Sequence, residues 1–159
     1  MTRFLLRLGL AWMIVGVSPI SAHAGNETIS AESDLGRLQG KWTAQAGLRR
    51  ELRVSLEIQG RRVDAVVTTP QGLNLRAQGE VKIDERTSPR AVDWIKFNGP
   101  DQQELPAILG IYKFDRETFV VCTGGFNGDR PTEFKPGEGV LTEVVTFRRP
   151  PAPSREKAK

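Results

Sequence analysis

The chain has 159 residues and a formal net charge of +4, and 38% of its residues are hydrophobic, which fits one domain with a single core. Its one cysteine excludes an intramolecular disulfide. One cysteine and one histidine are too few ligands for the usual zinc sites, so we expect neither a metal nor a cofactor.

Residues 1–24 have the three parts of a cleaved signal peptide. Two arginines precede an apolar run over residues 8–17, and Ala22-His23-Ala24 forms a small-x-small cleavage site. The apolar run is too short to act as a stable membrane anchor. The sequence therefore predicts a secreted or periplasmic protein that begins at Gly25 and has no membrane span.

Cleavage would also remove the histidine and two of the basic residues. The remaining positive excess lies in the Pro-rich basic tail, residues 150–159, so residues 25–149 are formally neutral. The pairs Arg49-Arg50 and Arg61-Arg62 are separate and do not form one basic stripe. No nucleic-acid partner is expected on this pattern.

The predicted mature chain opens with a disordered lead over residues 25–33. Ser33 is suited to cap a short helical turn over residues 34–39. A first strand then begins at Gly40-Lys41-Trp42 and ends near Gly47. Residues 51–59 alternate between apolar and polar side chains, which is typical of a strand with one buried face.

Six further strands are predicted downstream. Gly79 indicates a bulge or bend in the fourth strand. Two apolar runs around Asp115-Arg116-Glu117 predict a β-hairpin, and a glycine-rich loop, residues 124–128, follows it. The six predicted strands cover residues 63–67, 73–83, 91–97, 108–114, 118–122 and 140–149.

Eight sequential strands with short connections and one leading helical turn predict an all-β fold. The expected architecture is an eight-stranded antiparallel up-and-down barrel over residues 34–149. The alternative is a seven-stranded immunoglobulin-like sandwich, but neither a cysteine pair nor long Greek-key crossovers are evident.

Five short motifs carry a resemblance to a known family: LQGKW, VDWIKFNGPD, ILGIYKFD, FVVC and DRPTEF, in that order. Over residues 34–149 the chain resembles the lipocalin-like domain of uncharacterised function that is abundant in planctomycete bacteria. The resemblance implies a lipocalin-like barrel and often a secreted context, and it brings no established activity. The chain departs from the family at Asp115-Arg116-Glu117, where the family usually has a glycine.

The resemblance also implies a structural pair at the barrel floor. In lipocalins a guanidinium from the end of the last strand lies across the indole of the residue that corresponds to Trp42. Arg149 shares strand parity with Val145 and Phe147 and is therefore preferred to Arg148 for this role.

Cys122 is predicted to be a buried, unreactive thiol in a central barrel strand. It follows the apolar run Phe119-Val120-Val121, and no histidine remains in the mature chain to stabilise a thiolate. Catalysis by this residue is not expected.

Two interpretations of residues 130–134 stay open. In the favoured one, Phe134 plugs a barrel end while Arg130 pairs with an acid such as Asp93 or donates to loop carbonyls, because a long loop needs internal ties. In the other, Arg130 and Tyr112 face the open mouth and bind the polar head of a ligand.

Glu143 has the parity of the inward residues Val145 and Phe147. A carboxylate at such a position must be paired, lie near the mouth, or be turned outward by a bulge.

The sequence thus predicts a barrel that binds a small apolar or amphipathic molecule in its interior. Trp94, Tyr112 and Arg130 are the candidate ligand-binding residues, although Trp94, Phe97, Phe119 and Phe126 are bulky enough to fill the lumen. The alternative is a protein-interaction module of the cell envelope that acts through its loops and has a filled core. An enzyme is expected least, because no nucleophile–base pair is recognisable.

Overall fold

The computed structural model describes residues 30–99, 101–139 and 141–151. The predicted signal peptide, its cleavage before Gly25, the first part of the predicted lead and the tail from residue 152 lie outside the described residues. Within them, no helix combines the length and the apolar character needed to cross a membrane.

A closed antiparallel β-barrel accounts for most of the described chain. Its strands follow one another around the barrel in chain order, and the last pairs with the first, so the predicted eight-stranded up-and-down barrel is confirmed. One short helix precedes the strands. The elements are α1 (Asp34–Leu38), β1 (Gly40–Ala46), β2 (Leu52–Gln59), β3 (Arg62–Thr68), β4 (Asn74–Asp84), β5 (Arg90–Asn98), β6 (Ile108–Asp115), β7 (Thr118–Phe126) and β8 (Val144–Arg148).

The helix α1 forms where the sequence predicts it. The Ser33 hydroxyl oxygen accepts a hydrogen bond from the Gly36 amide at 3.0 Å, which is the predicted cap. The Ser33 amide donates in turn to the Ser30 carbonyl at 3.1 Å, so residues 30–33 form a turn at the end of the predicted disordered lead. Leu35 and Leu38 are buried beneath the helix.

The helix distinguishes the two ends of the barrel. We call the end that α1 covers the closed end; the turns β2–β3, β4–β5 and β6–β7 also lie there. The other four connections lie at the opposite end, which we call the open end. They comprise residues 47–51, 69–73, 99–107 and 127–143.

Gly79 marks an irregularity in the β4–β5 pairing, as predicted. Gln78 pairs with Asn98 while Glu80 pairs with Ile95, so two residues of β5 oppose the one glycine. A Cβ at residue 79 would lie 2.3 Å from the Phe97 ring, so only glycine leaves room for it. The alternation of β5 predicts that Phe97 and Trp94 face opposite sides, but this extra residue turns both toward the barrel interior.

A second irregularity lengthens β7 beyond its predicted end at Cys122. Ile108 pairs with Phe126 while Gly110 pairs with Thr123, so β7 continues through the glycines that the sequence assigns to a loop. Gly125 adopts a φ of +77°, which glycine tolerates without strain. The last strand is correspondingly shorter than predicted and begins at Val144.

Residues 127–136, which we call the covering segment, lie against the outer wall of the barrel before the chain reaches β8. They cover outward-facing apolar residues of β6 and β7. Ile111 and Cys122 are buried, yet neither belongs to the interior core that contains Tyr112 and Val121. The barrel wall therefore has a small apolar layer on its outer side as well as its core.

Candidate ligand-binding site

An aromatic cluster fills the closed half of the barrel. Phe119, which is fully buried, contacts the rings of Trp42, Tyr112 and Phe147, with centroids 5.7 to 6.0 Å apart. Trp94 meets the same ring edge-on at 6.5 Å. Such tilted and edge-on contacts are favourable between aromatic rings. The cluster forms the floor of the space that lies between it and the open end.

That space is an apolar cavity of about 210 Å³ at the open end. Seven strands and two of the open-end connections line it, so it lies within the lumen and not on the outer wall. Only two of its lining side chains, Thr123 and Glu143, are polar. The others are Ala46, Val54, Leu56, Ala65, Val67, Trp94, Phe97, Leu105, Pro106, Ile108, Val121, Phe126, Leu141, Val145 and Phe147.

The two polar side chains already have hydrogen-bond partners. The Thr123 hydroxyl donates to the Leu141 carbonyl. Both carboxylate oxygens of Glu143 accept from the Gly47 amide, at 2.8 and 2.9 Å. Glu143 thus lies near the mouth, which is one of the three positions predicted for a carboxylate with inward parity. It is the one charged side chain among the residues that line the cavity, and its remaining lone pairs are available to accept hydrogen bonds from a ligand.

Glu143 also holds the barrel closed at the open end. The seam between β1 and β8 has a short register, Thr43 opposite Arg148, whereas β1 and β2 pair along seven residues. The contact from Glu143 to the Gly47 amide spans this seam on one side. A side chain therefore supplies a connection that the strand pairing lacks.

Arg149 closes the same seam at the other end. Its guanidinium lies 3.8 Å from the Trp42 ring centroid, which confirms the predicted pair. Nη1 donates to the Gln39 carbonyl at 2.5 Å and Nη2 to the Arg37 carbonyl at 2.8 Å. Partial burial lowers the pKa of Arg149 from its ordinary value, but guanidinium remains protonated in proteins.

Tyr112 lies at the closed end, not at the mouth, so its predicted contact with a ligand is wrong in position. Its hydroxyl donates to Asp34 Oδ2 at 2.7 Å, and Arg90 Nη1 reaches the same oxygen at 2.6 Å. Asp34 is itself buried. The alternation of β6 predicts that Tyr112 faces inward. The sequence alone does not show that α1 places the carboxylate of Asp34 beside its hydroxyl.

Arg130 fastens the covering segment to the outer wall. Its guanidinium lies 2.7 Å from Asp93 Oδ1, as an ion pair rather than an aligned hydrogen bond, and donates to the Gly110 carbonyl at 2.6 Å. The favoured interpretation of Arg130 is therefore confirmed. Its predicted position at the mouth is wrong, because it lies outside the barrel.

Phe134 does not plug a barrel end, contrary to prediction. Its half-buried ring lies on the outer wall, with the Lys113 ammonium 4.7 Å from its centroid. Lys113 points outward from β6, so the contact is a cation–π interaction between the wall and the covering segment.

Cys122 is buried, as predicted, but it faces outward beneath the covering segment. Its thiol donates to the Lys135 carbonyl at 3.3 Å. Burial raises the pKa of Cys122 above its ordinary value, which lowers the thiolate fraction at neutral pH. The raised pKa agrees with the expectation that Cys122 is unreactive in the folded protein, which remains a prediction.

Trp94 is the one predicted ligand-binding residue that lines the cavity. Sequence reasoning did not identify most of the other lining residues as a site. Val54, Leu56, Ala65 and Val67 follow the alternation of β2 and β3, which could have indicated them. Leu105 and Leu141 come from connections, where alternation carries no information.

Comparisons of the chain with protein-family models, with curated proteins and with solved structures found no match. Among the described residues, no three histidine, cysteine or acidic side chains are grouped so as to hold a metal ion.

Proposed function

We propose that this protein is a lipocalin-like binding protein that holds a small apolar or amphipathic molecule in the open half of its barrel. The observation that carries the proposal is the apolar cavity above the aromatic cluster. Ligand sites are typically concave and mostly apolar, with a few polar groups that fix orientation. The cavity fits that description, with Glu143 as its charged group.

The size of the cavity limits the ligand. Its volume of about 210 Å³ exceeds the roughly 150 Å³ of an engineered apolar cavity that stays dry and binds benzene. One aromatic ring or one short alkyl chain therefore suits it better than a large polycyclic molecule.

Glu143 favours some polar groups over others. A carboxylate near the mouth repels an anionic head and attracts a protonated amine, and it also accepts a hydrogen bond from a hydroxyl. Of three ligands with equal chains, we expect n-octylamine to bind most tightly, n-octanol less tightly, and octanoate least.

Tryptophan fluorescence tests the proposal directly. Trp94 lines the cavity, whereas Trp42 lies at the closed end under Arg149. The variant Trp42→Phe leaves Trp94 as the indole of the described region. We expect n-octylamine to change the emission of Trp94 in a saturable way, because its alkyl chain displaces water from the indole or fills empty space beside it.

The control is the reciprocal variant Trp94→Phe, in which the emission of Trp42 should not respond. If none of the three ligands gives a saturable change in the Trp42→Phe variant, and native mass spectrometry detects no bound molecule, the lumen is not a ligand site. The protein-interaction module would then become the preferred function.

The role of Glu143 is tested by Glu143→Gln, which keeps an acceptor for the Gly47 amide and removes the charge. We expect the preference for n-octylamine over octanoate to shrink by up to about tenfold, since an exposed charge pair contributes modestly. An unchanged preference would mean that the head groups do not lie near Glu143.

A further inference from the structure

The exposed large apolar side chains of the described region all lie at the open end. They are Leu48, Leu73, Leu75 and Phe126. Exposed single leucines are common on protein surfaces, so it is the grouping of these side chains at one end of the barrel, and not their exposure, that points to an interaction surface.

Leu48 and Leu73 lie in two neighbouring connections, whereas Leu75 belongs to β4 and Phe126 to β7. The Arg50 amide donates to the Gly47 carbonyl at 2.8 Å, which closes a turn with Leu48 and Arg49 at its centre. Leu48 is fully exposed there. The neighbouring β3–β4 connection is closed by the Gly72 amide and the Thr69 carbonyl at 2.9 Å.

The same two connections are basic. Residues 47–53 carry three arginines against Glu51, and residues 68–76 add Arg76 without an acid. We call this half of the open end, residues 47–53 and 68–76, the basic rim. Arg49 and Arg50 follow Leu48 directly in the first turn, and Leu75 and Arg76 are neighbours at the start of β4, where they face opposite sides of the wall.

The opposite half of the open end is acidic. The β5–β6 connection carries Asp101 and Glu104, and residues 137–143, which follow the covering segment, carry Glu138 and Glu143 without a basic residue. Glu143 lies where this side meets the basic rim, because it accepts from the Gly47 amide. The two sides of the open end therefore differ: one is basic and carries exposed apolar side chains, and the other is acidic.

We infer that the basic rim docks the barrel onto the surface of a bilayer that contains anionic phospholipids. Arginines near such a surface are attracted to its headgroups, and leucines at the tips enter the boundary between headgroups and acyl chains. The acidic half tilts away from the same surface. This inference does not depend on whether the cavity binds a ligand.

A bilayer fits the basic rim better than an acidic protein or a nucleic acid does. Leu48 lies at the centre of one turn and Leu73 directly after another, so the two exposed side chains are separate apolar points and not a continuous face. A protein partner would need a matching pocket for each side chain, whereas a fluid interface accepts them at any spacing. Nucleic acid offers no apolar site for leucine tips outside its stacked bases.

Vesicle binding tests the inference. The purified protein is mixed with vesicles of phosphatidylcholine alone, or with vesicles in which roughly a third of the lipid is phosphatidylglycerol. We expect sedimentation with the anionic vesicles at low salt, weak sedimentation with the neutral ones, and release as added salt screens the charges.

Two double variants separate the contributions. Arg49→Gln with Arg50→Gln should lower the partition coefficient about tenfold or more, because each arginine contributes independently. Leu48→Ser with Leu73→Ser should lower it by a similar factor through loss of insertion. The matched control is Lys41→Gln with Lys82→Gln, which removes two exposed charges near the closed end and should change little.

A third variant reports insertion without weakening binding. Leu48→Trp places an indole at a fully exposed tip, so it does not disturb the fold. We expect its emission to shift to the blue on addition of anionic vesicles. Binding without a blue shift would overturn the insertion of Leu48, and equal binding of wild type and the Arg49 and Arg50 variant would overturn docking by the basic rim.

Two other outcomes would also contradict the inference. If the protein ignores anionic vesicles but self-associates through Leu48 and Leu73, the apolar tips belong to a contact between copies. If it ignores vesicles and binds a soluble polyanion through Arg49 and Arg50, the basic rim is an anion site and not a membrane surface.

Discussion

Arg149 links parts of the chain that lie more than a hundred residues apart. Its guanidinium covers the Trp42 ring and donates to main-chain carbonyls of residues 37, 39 and 41. These contacts join β8 to the start of β1 at the closed end of a seam where strand pairing is short. A planar fork suits this task, because several donors act from one side chain.

Replacing Arg149 should therefore destabilise the barrel. We expect Arg149→Ala to lower the free energy of unfolding by about 1–2 kcal/mol, from the lost cation–π contact and hydrogen bonds. The neighbouring outward variant, Arg148→Ala, should change it by less than about 0.5 kcal/mol. Urea unfolding of both variants checks this, and equal stabilities would contradict the role of Arg149.

Tyr112 is the single tyrosine of the sequence, and its environment holds it neutral. Burial is the main cause of its raised pKa, and the hydrogen bond and charge of Asp34 add to it. The pKa of an unfolded tyrosine is about 10, so above that pH the unfolded chain loses this proton before the folded one. Stability from Tyr112 is therefore fully present below about pH 10 and falls as the pH rises further.

Ultraviolet titration tests this directly, since tyrosinate absorbance can come from Tyr112 alone. We expect the signal to develop only as the protein unfolds at alkaline pH, in one step with the loss of secondary structure. The variant Tyr112→Phe should show a shallower decline of stability above about pH 10. Reversible titration near pH 10 in the folded protein would mean that Tyr112 is exposed.

The covering segment is the element whose fold depends most on individual ties. It contains no strand pairing of its own, and it is held by Arg130, by the Lys113 contact to Phe134, and by the Lys135 carbonyl at Cys122. Elements with few ladder hydrogen bonds open at lower free energies than the strands beneath them. The reactivity of Cys122 should report that opening.

Loss of Arg130 should expose Cys122 without unfolding the barrel. In the wild type we expect slow labelling by a thiol reagent at neutral pH. In Arg130→Ala we expect labelling at least about tenfold faster, because the segment loses charge-assisted contacts to Gly110 and Asp93.

The control for this experiment is Lys135→Ala, which removes an exposed side chain from the same segment and keeps its carbonyl. It should label like the wild type. Unchanged tryptophan emission in Arg130→Ala verifies that the barrel is intact. Equal, slow labelling of all three proteins would show that Arg130 does not hold the segment down.

Alternation and turn signals were enough to predict the barrel and most of its strands. The errors arise where an extra residue interrupts alternation: beside Gly79, which reverses the orientation of Phe97, and at Gly124-Gly125, which extends β7. A sequence marks such positions with glycine but does not reveal which strand carries the extra residue.

The site was predicted less well than the fold. The Arg149–Trp42 pair follows from strand parity and from the resemblance to the lipocalin-like family, whereas the sequence around Trp94 leaves the parity of that residue uncertain. Tyr112 was misplaced because its partner, Asp34, comes from an element distant in sequence. Arg130 was misplaced only as a ligand contact, because its segment crosses the outer wall, whereas its predicted pairing with Asp93 is confirmed. Contacts of that kind depend on register and on how a connection crosses the wall, which local pattern does not determine.

At the scale of the whole molecule, the barrel divides into a solid half and a hollow half. The rings around Phe119 fill the closed half, while alanines and valines such as Ala46, Val54 and Ala65 leave the open half unfilled. Protein interiors are normally packed without such voids, and a cavity of this size lowers stability. A binding function explains why a cavity is present at the accessible end of the barrel.

Calorimetric titration of n-octylamine into three proteins tests that proposal most directly. Ala65→Phe places a ring inside the cavity, and Ala107→Phe adds the same ring to an exposed position at the same end of the barrel. We expect one bound molecule per chain for the wild type and for Ala107→Phe, and none for a folded Ala65→Phe. Equal binding by Ala65→Phe, or no binding by the wild type, would contradict a ligand site in the lumen.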